Sequence, residues 1–490
     1  MSQAATHTNG AQVNGDHPNL TPPLKPSRAA SPTRRGGIVV FSGGSAANNL
    51  VDVFEELRAA NQATLSYVIP ISDNGGSSSE IIRVFGGPGI GDVRSRLVRL
   101  IPDLSAESVA IRAFFNHRLA RDYQTARAEW LDIVEATSPL WDGVSLPKQE
   151  LIRSFLNVMN LEVVKRLRPS SRFDWSGASV GNLFLTGQTR ARLFTGSFEA
   201  AVYLLSSTCG VPSHVSVLPV LNTNFACHIA AGLTNGDVIT GQNNISHPSH
   251  PTAAVPVPPA QLSSRSGYAT PHPTEEADKI EDANPPGSLP VLRKPALAFS
   301  KTLEADLPAR VERLWYINPY GQEIRMPANP RVLTTLDEAT TVIYSIGSLF
   351  TSIIPSLVLR GVGQALADPK VKSKILILNG TLDRETGPSS NAFTALDFVA
   401  AIARAGIESR DAASPEPDEY WQYVTHVIYM DSPASPKVDR LAFGQLGIET
   451  VRVYGRQAGR YDSKALGQVL DAIVGRREGR GLARRNTLVG

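Results

Sequence analysis

Cysteine is almost missing from this chain: 490 residues hold two, Cys209 and Cys227, both in apolar surroundings. Two thiols without ligand spacing leave no disulfide framework and no zinc site, so buried free thiols are expected. No run approaches the roughly 18 apolar residues of a membrane-spanning helix. Residues 1–36 contain no apolar stretch, so no secretory signal is expected, and the cytoplasm is the default location. A strong net charge is missing too, and the small excess is unevenly placed. Residues 1–36 set the single acid Asp16 against Lys25, Arg28, Arg34 and Arg35, for +3, and residues 476–485 set five Arg against Glu478, for +4. The whole chain carries only +3, so the part between the ends carries −4. A mildly acidic body lacks the basic face that nucleic acid requires, and the Arg-rich end reads as a solvated tail.

What is present is apolar content enough for a large core: 42% hydrophobic against 19% charged residues. Gly37–Phe41 is a continuous apolar run of the kind that parallel strands covered on both faces require. A helix with Leu50, Phe54 and Leu57 on one face follows, then a strand over 64–71. This strand–loop–helix–strand order is the unit of a doubly wound sheet. Residues 91–167 are mainly helical in pattern, with Leu151, Phe155, Val158 and Leu161 as one apolar stripe, and 178–193 and 198–207 continue it. Strands are expected at 215–220 and as a hairpin over 226–241, turning at Asn235-Gly236. Ordered pattern resumes at Val311–Ile317, with strands at 341–346, 374–378, 425–430 and 450–454 and helices at 357–366, 395–403 and 464–474. The layout is a disordered tail over 1–36, one α/β domain over 37–475 and a basic tail over 476–490. Within the domain, a helical subdomain is expected at about 91–210 and a disordered insertion at 246–296.

Four polar strings follow predicted strands, and strand ends of a parallel sheet share one edge. Ser42-Gly43-Gly44-Ser45 places backbone N–H groups at a helix start, where an anion is favoured; it is neither G-x-G-x-x-G nor a Walker A loop. Asp73-Asn74-Gly75-Gly76-Ser77 follows the second strand and offers a carboxylate beside N–H and O–H donors. Each alone can be a plain turn, but two on successive strands point to a site. Gly347-Ser348, with Thr351, repeats the opening logic, and Asn379 begins the string that runs through Asp383 and Glu385. Asp92 reads as a helix N-cap, with Arg94 or Arg96 in reach of a phosphate. Asn182, polar among apolar neighbours, needs a backbone or ligand partner if buried. His247 and His250 fall in the insertion, without a scaffold for a metal, while His214 and His228 read as core or surface residues.

The order Gly-Gly-Ser, Asp-x-Gly-Gly-Ser-Ser, Gly-Asp-x-Arg, Gly-Asn-Leu and Gly-Ser-Leu-Phe-Thr-Ser-Ile-Ile-Pro-Ser-Leu resembles the 2-phospho-L-lactate transferases and the related bacterial gluconeogenesis factors. The likeness runs from about residue 36 to 397 and is most specific at 347–357. It implies a Rossmann-like α/β fold, a mainly parallel sheet with helices on both faces. It also implies a nucleotide ligand such as GDP or a UDP-sugar. In the transferase branch a phospholactyl group moves from a guanosine diphosphate carrier to a deazaflavin with Mg²⁺; the other branch resembles nucleotide-sugar-binding regulators. By the resemblance Asp73 matches the first acid of a paired Asp-Asp, and Asn74 stands in place of the second. Ser345-Ile346-Gly347-Ser348 replaces the family's Gly-Pro-Gly-Ser.

The expected chemistry is therefore transfer of a phosphate-linked group from a nucleoside-diphosphate donor to an acceptor hydroxyl. Asp73 would be catalytic and hold Mg²⁺, and Arg94 would stabilise charge. Ser42, Gly43, Gly44, Ser45, Asn74, Gly75, Gly76, Ser77, Asp92, Asn182, Gly347, Ser348, Thr351 and Asn379 would bind the nucleotide. One alternative is a non-catalytic nucleotide or nucleotide-sugar sensor, favoured by Asn74. Another is an interaction protein acting through its tails and insertion. The expected partner is a small nucleotide-linked molecule, with no nucleic acid and no membrane; the sequence leaves the oligomeric state open, with a homodimer as one option.

Overall fold

The computed structural model describes residues 36–72, 75–167, 172–190, 197–246, 288–293, 306–412, 414–455 and 459–475. Asp73, Asn74, the tails apart from Gly36, and most of the insertion with its three histidines, His247, His250 and His272, lie outside the described residues.

Seven parallel strands form the main sheet: β1 (Gly37–Phe41), β2 (Leu65–Ile69), β3 (Val215–Pro219), β8 (Ala339–Tyr344), β9 (Ser373–Ile377), β10 (His426–Tyr429) and β11 (Glu449–Arg452). Their order is β11-β10-β9-β8-β1-β2-β3. The chain thus builds outward from β1 in one direction, then returns to β1's other side and builds the opposite way. The reversal falls between β1 and β8, which pair in parallel with Phe41 beside Tyr344. Every residue of β1, β2 and β9 is buried, which is why β1 reads as an unbroken apolar run rather than an alternating one, while β2 and β9 also bury Ser66, Ser373 and Lys374. Phe41 and Tyr344 stack at 5.8 Å, and the Tyr344 hydroxyl donates to the Tyr423 carbonyl at 2.9 Å, so the reversal is fastened by packing and by a satisfied buried polar group. The first helix, Val51–Asn61, packs against the closing helix Ser463–Gly475, joining the two ends of the domain.

A second, antiparallel sheet was not foreseen. It has four strands in the order β5-β4-β6-β7: β4 (His228–Leu233), β5 (Val238–Thr240), β6 (Val311–Ile317) and β7 (Glu323–Ile324). The β4–β5 hairpin closes as Asn-Gly predicts, with Gly236 at φ +89°. Its partner β6 lies beyond the insertion, so nothing local in the sequence announces the pairing. Part of the stretch expected to be disordered is ordered: Pro290–Arg293 makes a helical turn whose Leu292 packs with Ala230 and Ile317.

The helical excursion covers helices from Gly91–Arg99 to Phe198–Thr208. In its long helix, Leu146–Arg166, the expected stripe is rotated. Ile152, Phe155, Leu156, Met159 and Val163 are buried, while Leu151 and Leu161 are exposed. Both stripes have helical spacing, and an almost evenly apolar helix does not by itself reveal which face packs. The single helix expected over 357–366 is also broken. A π-helical turn, Leu349–Ile353, precedes Ile354–Leu357 and Val362–Ala367, with Gly361 at φ +93° between the last two. Cys209 and Cys227 are buried free thiols, as expected, and burial pushes the Cys227 thiol up to about 12. No helix among the described residues is long and apolar enough to cross a membrane.

Candidate functional site

Loops after β1, β8 and β9 converge on a cleft of about 1150 Å³ beyond the carboxyl ends of these strands. Ligands of open α/β sheets bind where strand order reverses, and this cleft stands at that point. Gly347, Ser348 and Asn379 line it, with Ala46 and Asn49 from the turn after β1, Asp383 and Glu385 from the loop after β9, and Arg460.

The β1 turn is shaped by two residues distant in sequence. Asp92 is not a cap: the Gly91–Arg99 helix has Ile90 at its N-cap, and the Asp92 carboxylate instead accepts the Gly44 N–H. A Cβ on Gly44 would lie 2.3 Å from Asp92 Oδ1, and one on Gly43 would lie 2.6 Å from Ser352 Oγ. The glycines are therefore required by close approach of Asp92 and Ser352. Burial raises the Asp92 carboxyl above its ordinary value, opposed by the Gly44 N–H, Arg96 and Arg94. Arg96, fully buried, donates to Ser42 Oγ (3.2 Å), the Gly43 carbonyl (3.0 Å) and the Ala47 carbonyl (3.3 Å) and stacks 4.4 Å over the Tyr67 ring. It fastens the turn rather than offering its charge to a ligand. Ser45 is exposed.

The β8 loop is held equally firmly. Gly347 N–H donates to Asn379 Oδ1 at 2.9 Å, and Asn379 Nδ2 returns a bond to the Gly347 carbonyl at 2.8 Å. Leu349 N–H, at the start of the π-helical turn, donates to Asp383 Oδ2 at 2.8 Å. Ser348 Oγ donates to Glu385 Oε2, and Thr351 Oγ1 does so at 2.6 Å. Burial, then the charge of Glu385, raises Asp383 to about 7 against hydrogen bonds that favour its ionised form. Asp383 and Glu385 lay inside a string noted for its place after a strand, but no local signal marked them as the acids that hold the neighbouring loop.

Arg94, Asn182 and Ser77 form a different group. Arg94 Nε donates to Asn182 Oδ1 at 3.0 Å, and Asn182 Nδ2 donates to Ser77 Oγ at 3.1 Å. Gly75 and Gly76 start the helix Gly76–Phe85 beside them, as N-cap and first residue. None of these residues lines the 1150 Å³ cleft. The expected site thus separates into the cleft and the Arg94 group. No group of three or more His, Cys, Asp or Glu side chains comes together as a metal site among the described residues. The nearest acidic pair, Asp383 and Glu385, already accepts backbone and hydroxyl donors.

Comparison with known proteins places the chain. Residues 38–442 match the family described as 2-phospho-L-lactate transferase CofD. The uncharacterized protein YNL011C of Saccharomyces cerevisiae is 37% identical over 449 residues, covering 89% of this chain and 99% of that protein. The crystal structure of protein BH3568 from Bacillus halodurans has a TM-score of 0.53 at 18% identity, covering 89% of this chain and 99% of that one. A second crystal structure of it, described as a member of the UPF0052 family, has a TM-score of 0.53 at 17% identity, covering 90% and 99%. At such identity these structures speak for the shared α/β fold. The motif order, the sheet and the family match agree, and the chain belongs to the 2-phospho-L-lactate transferase family.

Proposed function

We propose that the chain is a nucleotide-dependent transferase that moves a phosphate-linked group from a nucleoside-diphosphate donor to an acceptor hydroxyl. The observation that carries this reading is the cleft of about 1150 Å³ at the β1/β8 reversal, a volume that suits a nucleotide-linked substrate. The donor's nucleotide would lie along the 347–348 and 379–385 loops. The acceptor oxygen attacks phosphorus and forms the new P–O bond. The bond to the bridging oxygen breaks, the nucleoside monophosphate leaves with the electron pair, and the acceptor's proton passes to a base. Asp73 is assigned to orient the acceptor or hold Mg²⁺; a bound Mg²⁺ would neutralise charge on the diphosphate. Arg94 is assigned to stabilise phosphoryl charge.

Asp73→Ala is the test of the assigned carboxylate. Nucleotide binding measured by calorimetry with and without Mg²⁺ should lose its Mg²⁺ dependence. An unchanged Mg²⁺ response would remove Asp73 from the site.

A second reading, a non-catalytic nucleotide or nucleotide-sugar sensor, is favoured by one observation. The Gly44 and Leu349 amides, which a phosphate would be expected to use, are bonded to Asp92 and Asp383. Under that reading GDP or a UDP-sugar raises Tm by linkage while no acceptor yields product.

A further inference from the structure

The long helix Leu146–Arg166 packs one face into the core, through Phe155, Leu156 and Met159 among others. Its outer face is also apolar. Leu146, Leu151, Leu161 and Val164 are 73%, 38%, 52% and 56% exposed. Among the described residues no other helix exposes more than one large apolar side chain. A helix that is apolar on all sides is one that is covered on all sides, and a cluster of exposed apolar residues marks a contact surface. By helical spacing Glu150, Ser154, Asn157 and Leu161 lie opposite the buried stripe, with Leu151 and Val158 on one flank and Val164 on the other.

The order of residues along this face says what covers it. Reversing the helix about the midpoint of Asn157 and Val158 sets Glu150 against Lys165, Arg153 against Glu162, Leu151 against Val164 and the small Ser154 against Leu161. Opposite charges meet, apolar meets apolar, and small meets large. Glu150 and Lys165 are well exposed, with side chains 71% and 57% accessible. Within one helix Arg153 pairs with Glu150 at 3.0 Å, and Lys165 with Glu162 at 3.0 Å. Two reversed copies therefore bring together four charges of alternating sign at each end of the contact. A parallel pairing would set Glu150 on Glu150 and Lys165 on Lys165. A two-fold contact between identical chains needs a surface complementary to itself, in which one residue meets a second and the second meets the first.

We infer that the outer face of the Leu146–Arg166 helix is a homodimer interface, in which two copies of this chain pack these helices antiparallel about a two-fold axis at Asn157 and Val158. Leu151, Leu161 and Val164 supply the apolar area, and the charge order fixes direction and register. No residue of this helix lines the cleft, so the interface does not rest on the proposed transferase reading.

Sedimentation equilibrium of the full chain tests the interface. The wild type should sediment at twice its 52.6 kDa and dissociate on dilution. Leu161→Glu places a charge in the middle of the contact and should leave a monomer. Leu161 is exposed in the single chain, so the variant should keep the wild-type circular dichroism spectrum. Glu150→Lys and Lys165→Glu each set like charges together and should weaken the dimer about tenfold, while the two combined restore attraction and wild-type association. A wild type that stays monomeric at about 100 μM, a dimer indifferent to Leu161→Glu, or a combined variant no tighter than either single one would each overturn the interface.

Discussion

At Gly44 a Cβ would stand 2.3 Å from Asp92 Oδ1 and 2.9 Å from its Cγ, so Gly44→Ala must displace a carboxylate that holds the turn. The expected cost is about 1–3 kcal/mol, read from urea denaturation. Gly444 is the control. It lies in the helix Arg440–Gln445 with nothing within 4 Å of a built Cβ, so Gly444→Ala should be neutral or gain up to about 1 kcal/mol. Equal midpoints for the two variants would contradict the close approach. Asp383 carries a second prediction. Its carboxyl is raised from 3.8 to about 7, so the folded chain holds this proton more tightly than the unfolded chain does. The contribution to stability is full below about 4 and is lost as pH rises to about 7. Asp383→Asn, which cannot ionise, should flatten the fall in denaturation free energy over that window. An unchanged pH slope would contradict the assignment. At this scale the sequence was legible for residue type and not for partner. Gly43-Gly44 was readable as a tight turn, but Asp92 read as a local cap because the group it bonds, Gly44, is distant along the chain.

The elements were legible where one periodicity ruled. Continuous apolar runs placed β1, β8, β9 and β10 near their observed positions. The long helix Leu146–Arg166 was legible as a helix and not in its buried face, because apolar side chains fall all around it. The π-helical turn Leu349–Ile353 escaped for another reason: its opening N–H is satisfied by Asp383 of a later loop, a partner that local pattern cannot supply. Gly347, which leads into that turn, has φ +138°. A Cβ there would meet Ser352 at 3.4 Å, an ordinary contact, so the cost of Gly347→Ala is backbone strain rather than crowding. The variant should lose about 1–3 kcal/mol and bind nucleotide more weakly. Wild-type stability with wild-type GDP affinity would show that this backbone geometry is dispensable.

Across the molecule, the two βα portions share one sheet because β1 offers an edge to β2 on one side and to β8 on the other. That sharing creates the reversal at which the cleft opens. The antiparallel sheet was not foreseen as a sheet, since β4 and β6 are separated by the insertion. Nor was the division of the expected site between the cleft and the Arg94 group, which depends on where the Gly91–Arg99 and Val180–Arg190 helices pack. The central claim, a nucleotide in the cleft at the strand-order reversal, is tested most directly by hydrogen exchange with and without GDP and a UDP-sugar. The account predicts slowed exchange in the loops at 346–350 and 379–387 with at least one of them. No change with either ligand, or protection confined to regions away from those loops, would contradict it.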